Sequence, residues 1–130
     1  MPMFAITSMY AGAAALMFVY LTLGVSRQRI RHKVSIGDGN NRAVLVAIRA
    51  QGNFVEYVPI GLILMAAVES RGAPELAVHA LGAMLIGGRL MHAIGFTRRP
   101  QILILRQAGI VLNLVMLLAA GLGLLAHAIV

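Results

Sequence analysis

Four long apolar runs separated by short polar stretches organise the chain, at about Met3–Val25, Ala43–Val68, Leu76–Phe96 and Ile104–Ile129. As helices rising 1.5 Å per residue, each is long enough to cross a hydrocarbon core of about 30 Å. The pattern predicts an all-α fold, a transmembrane four-helix bundle forming one integral membrane domain over residues 1–130. The first run is free of charge and so is the fourth beyond Arg106, whereas the second carries Arg49 and Glu56 and the third Arg89. The stretch from Met1 to Ser26 has no basic leader and exceeds the usual apolar length of a signal peptide, so it reads as a retained first helix.

The connections differ in charge. Between the first two runs, Ser26 to Arg42 carries Arg27, Arg29, Arg31, Lys33 and Arg42 against Asp38 alone. Within it, Ser35 to Asn41 has the composition of a turn followed by a helix start. The second connection, Glu69 to Glu75, is a tight turn with one base and two acids, and the third, Thr97 to Leu103, carries Arg98 and Arg99. Basic loops stay in the cytoplasm, which predicts both termini on the opposite side of the membrane.

Composition agrees. The chain is 60% hydrophobic and 12% charged, against about 25% charged in a soluble domain. The net charge of +7 would suggest nucleic acid in a soluble protein. Here the bases cluster at the ends of apolar runs, where they set topology and meet lipid headgroups, so no nucleic acid partner is expected. The absence of cysteine excludes disulfides and thiolate metal sites. His79 and His127 have no partner at metal-ligand spacing, and no metal is expected.

Candidate chemistry sits inside the spans. Arg49, Asn53 and Glu56 follow one another at i, i+4 and i+7 and form one polar stripe. Arg49 lies roughly 9 Å and Glu56 about 20 Å into the span. Charges that deep cost several kcal/mol unless paired or facing a wet cavity, so the stripe is expected to turn inward. Pro59 removes a helix hydrogen bond just beyond the acid and tends to kink the helix. The third run offers Arg89, His92 and Phe96 on one face, with Gly87 and Gly88 permitting close helix approach. The fourth puts Asn113 two turns beyond Arg106. Each feature has a plainer account: Glu56 with an arginine is a structural salt bridge, His92 a packed histidine, and the eight methionines membrane-core filler. Their convergence on one half of the bundle favours a pocket for a ligand bearing an amine and carboxylates. In it Glu56 pairs the amine, while Arg49 and a first-loop arginine hold carboxylates.

The segment Arg49-Ala-Gln-Gly-Asn-Phe-Val-Glu-Tyr-Val-Pro59 resembles the second-helix signature of the MAPEG family, the membrane-associated proteins in eicosanoid and glutathione metabolism. It is similar above all to the leukotriene C4 synthase pattern, and the run Gly88 to Phe96 looks like the family's second motif. The Lys33 to Gly39 loop resembles the bacterial branch, which implies a bacterial inner membrane. The resemblance covers nearly the whole chain. It implies a homotrimer that binds glutathione as co-substrate at the subunit interface. Carried over by residue, it implies that Arg49, Asn53, Glu56 and Tyr57 contact glutathione, with Arg29 (or Arg27) holding a carboxylate. It also implies that His92 and Phe96 line the site, and that Arg106 faces the thiol from the neighbouring subunit. Both synthase branches have Tyr at the position of Phe96, so one hydroxyl donor is missing.

The implied activity is that of a microsomal-type glutathione transferase or peroxidase acting on lipophilic small molecules that arrive from the bilayer. An arginine near the thiol, together with the positive end of the fourth helix, favours the thiolate. Two alternatives use the same residues. One is a lipid- or glutathione-binding protein without turnover. The other is a small proton-coupled transporter with Glu56 as the acid, against which Arg49 stands on the same helix face.

Overall fold

The computed structural model describes residues 3–129 as four helices: α1 (Ala5–His32), α2 (Arg42–Ser70), α3 (Glu75–Thr97) and α4 (Leu103–Ile129). All four are long and apolar enough to cross a membrane. The central pair, α2 and α3, pack on each other, and each also touches both α1 and α4; α1 and α4 make no contact with one another. The apolar interior falls into two clusters. Ile6, Met65, Val78, Leu81, Leu85 and Met116 fill the end near the chain termini. Ala14, Leu21, Ala50, Phe54 and Val58 join α1 to α2 towards the basic end. Large apolar side chains such as Leu16, Ile63, Leu118 and Leu122 stay exposed, which suits a lipid solvent.

Helix boundaries follow local chemistry. α1 does not stop where its apolar run stops at Val25. Arg27, Gln28 and Arg29 are good helix formers, so the helix continues for two more turns to His32, and three of the bases expected in a loop stand on it. Lys33 then adopts the left-handed conformation. Its N–H donates to the Ile30 carbonyl and that of Val34 to the Arg29 carbonyl, the Schellman arrangement. The basic last turn also suits the negative end of the helix dipole. The predicted helix start is found at Asn41, whose Oδ1 accepts from the N–H groups of Ala43 and Val44 at 2.9 and 3.3 Å. α2 runs through Pro59 without interruption.

The N-terminus of α1 has no side-chain cap of its own. Glu69 supplies one from the last turn of α2: its carboxylate accepts from the N–H groups of Ile6 and Thr7 at 3.0 and 2.8 Å and from the Thr7 hydroxyl at 2.6 Å. Nearby, the Tyr10 hydroxyl donates to the His79 carbonyl at 3.0 Å. At the other end of α3, the chain reverses into α4 through bonds from Ile102 N–H to the Gly95 carbonyl and from the Gln101 amide to the Phe96 carbonyl.

Candidate functional site

α3 and α4 cross at Gly88 and Gly109. A Cβ at Gly109 would meet the His92 backbone nitrogen at 2.7 Å, and one at Gly88 would meet the Gly109 carbonyl at 2.8 Å. Only hydrogen fits there, and the close approach lets polar side chains of three helices meet in the bundle interior. Arg89, 1% exposed, is the centre of that meeting. Its Nε donates to Asn113 Oδ1, and its Nη1 to Asn53 Oδ1. Its Nη2 reaches the Gly109 carbonyl at 3.4 Å. The face of the guanidinium lies 4.3 Å from the Tyr57 ring centre, a cation–π distance. Asn113 is fully buried and spends its own amide on the carbonyls of Met84 and Leu85 at 2.8 and 3.1 Å. With no carboxylate partner among the described residues, the charge is satisfied by neutral acceptors and a π face, as burial demands.

From the hub a stack runs along α3 towards the basic end. His92, also buried, packs its ring on Phe96 at 5.5 Å between centroids. Arg106, in the first turn of α4, lies 5.0 Å over the other ring of that stack, Phe96. Arg106 has no carboxylate partner among the described residues. Arg89 thus gathers Asn53, Tyr57 and Asn113, and further along α3 His92, Phe96 and Arg106 form a second contiguous group. In sequence Arg89 is only one of two polar residues on its helix face, beside His92, and the signal for its role is depth. Counted from the basic ends of α2, α3 and α4, Asn53, Arg89 and Asn113 lie at roughly 16, 12 and 15 Å, within one turn of each other.

The stripe on α2 divides. Asn53 turns into the protomer, as expected, but Arg49 and Glu56 do not. They pair with each other at 3.5 Å with side chains 53% and 52% exposed. The inward turn expected for all three is corrected for these two, because Val58, Phe54 and Ala50 already occupy the α2 face that meets α1. Neither charge is bonded to Arg106 or to a first-helix arginine among the described residues.

The first-helix arginines also part. Arg29 donates to the Ser35 carbonyl at 3.2 Å, on the same side of α1 as Thr22, whose hydroxyl accepts from the Gln51 amide at 2.8 Å. Arg27, the alternative to Arg29, and Arg31 point the other way, into a cavity between α1, α2 and α3 that contains none of the other predicted site residues.

Comparison with known proteins agrees with this architecture. The chain matches the MAPEG family over residues 7–126. It is 40% identical over 94 residues to the inner membrane protein YecN of Escherichia coli strain K12, covering 72% of each chain, and equally so to YecN of the O6:H1 strain. No solved structure matches. With the family match spanning nearly the full length of the four-helix bundle, the chain belongs to the MAPEG family.

Proposed function

We propose that this protein binds glutathione in a homotrimer and uses its thiol against lipophilic electrophiles, as a microsomal-type glutathione transferase or peroxidase. The observation that carries this reading is the Arg49–Glu56 pair, half exposed near the middle of an apolar helix. Left against lipid, those charges cost several kcal/mol. A polar ligand and a neighbouring subunit that cover the stripe remove that cost. Glutathione has the complementary groups, an amine for Glu56 and carboxylates for Arg49 and for Arg29 of the first helix, with Asn53 and Tyr57 beside them. The family to which the chain belongs supports the choice of ligand.

Arg106 supplies the chemistry. It is a cation without a carboxylate partner among the described residues, in the first turn of α4 where the helix dipole is positive. A thiol with a reference pKa of about 8.5 is shifted towards thiolate beside such a charge. With the basic ends in the cytoplasm of a bacterial inner membrane, glutathione enters from water and the electrophile from the bilayer. Phe96 favours a second reading, glutathione or lipid binding without turnover, because its ring packs against His92 and Arg106 and brings no hydroxyl to the site.

Isothermal titration of the purified protein with glutathione tests the binding step. The wild type is expected to bind and Glu56→Gln to bind at least about tenfold more weakly, a loss of about 1.4 kcal/mol. A wild type that does not bind overturns the reading. Conjugation and peroxidase assays at background despite tight binding select the second.

A further inference from the structure

The cavity between α1, α2 and α3 lies apart from the residues assigned to glutathione, and its walls sort by polarity along the helix axes. It encloses about 580 Å³, within the range of small-molecule sites. At the basic end it is lined by Arg27 and Arg31 of α1 and by Arg99 from the α3–α4 connection. Some 15 Å deeper along α1, at 1.5 Å per residue, the walls become Met17 and Leu21, faced by Leu90 of α3. No acid lines it, and none of the three arginines has a carboxylate or hydrogen-bond partner among the described residues. The cavity is open at the flank: a Cβ built on Gly24 meets nothing within 4 Å, while the lining residues Tyr20 and Leu90 are exposed large side chains. Three unpaired guanidiniums above an apolar trough open to the side match an anion carried on a hydrocarbon chain, by charge at one end and by apolar surface at the other. Basic pockets between membrane helices hold phospholipid headgroups in this way.

We infer that this cavity is a binding site for one anionic phospholipid of the surrounding bilayer. The phosphate sits among Arg27, Arg31 and Arg99, where planar donors suit its oxygens, and an acyl chain runs down between α1 and α3. The site does not depend on the glutathione reading, since neither Arg49 nor Glu56 borders it.

Native mass spectrometry of the detergent-purified protein, after exchange into mixed micelles of phosphatidylglycerol and phosphatidylcholine, tests the proposal. The wild type is expected to retain phosphatidylglycerol in at least about tenfold preference over phosphatidylcholine. Arg27→Gln with Arg31→Gln and Arg99→Gln should abolish the preference, whereas Arg71→Gln, an exposed base at the opposite end, should keep it. Gly24→Leu blocks the open flank while leaving every charge in place, and should lower total lipid retention. Glutathione titration of Gly24→Leu, which should match the wild type, separates this site from the one on α2. Equal retention of both lipids, or phosphatidylglycerol retention unchanged in the triple variant and in Gly24→Leu, overturns the proposal. So does displacement of the lipid by millimolar inorganic phosphate, which would mark a site for the free anion.

Discussion

A guanidinium in the middle of a membrane bundle needs its donors answered from several directions at once, and Arg89 receives Asn53, Asn113 and the Gly109 carbonyl in that way. Its planar fork is what spans two helices. A lysine has one compact ammonium and cannot serve both amides. Arg89→Lys is therefore expected to cost about 2 kcal/mol, the value of a hydrogen bond to a charged group, and to appear as a lower unfolding temperature in detergent. Asn113→Ala should do at least as much, because it removes an acceptor for Arg89 and also the amide bonds to the carbonyls of Met84 and Leu85. An effect within about 0.5 kcal/mol, usual for an exposed position, would mean that the hub is not a structural centre. At Arg106 the test is spectroscopic. Arg106→Ala should leave glutathione affinity largely intact and remove the ultraviolet absorbance of the bound thiolate; unchanged absorbance would assign the activating charge elsewhere.

Helix ends and helix crossings obey different rules from helix interiors. Glu69 caps α1 from across the bundle, so Glu69→Ala should cost about 1 kcal/mol, in the range of a lost N-cap. It should also speed hydrogen exchange at the Ile6 and Thr7 amides while leaving α4 unchanged. Gly109→Ala drives a methyl into the backbone of α3 beside His92, and little or no folded protein is expected on size-exclusion chromatography. The apolar runs predicted the four helices because lipid length and helix length nearly coincide. They missed the last two turns of α1, since hydropathy marks where lipid ends while Arg27 to His32 continue the helix beyond it. The Glu69 cap was equally hidden. An acid beside a turn reads as a solvated loop residue until the packing of α1 on α2 brings it to the Thr7 amide.

For the whole molecule, the Arg49–Glu56 pair is what the four-helix protomer leaves half exposed and what the proposed trimer would cover. Spacing and depth predicted that Arg49, Asn53 and Glu56 turn inward together, but the structure turns in only Asn53 and leaves the pair half exposed. That division was not legible, because spacing reports a helix face and not which neighbour it meets. An ion pair covered at an interface contributes little net stability compared with apolar residues of similar size. Arg49→Leu with Glu56→Leu is thus expected to unfold at or above the wild-type temperature while losing glutathione binding, and Arg49→Leu alone to unfold earlier. A double variant that still binds glutathione would remove the stripe from the proposed site.

The cap that Glu69 places on α1 has a mechanical side. With the Lys33–Asn41 connection at one end and the carboxylate clasp on Thr7 at the other, α1 and α2 form a closed frame about 40 Å tall. A helix held at both ends can neither slide along its partner nor roll about its own axis. Which neighbours meet the side of α1 that shows Arg29, and which meet the side that shows Arg27 and Arg31, is therefore held in part by an acid at the far end of the bundle.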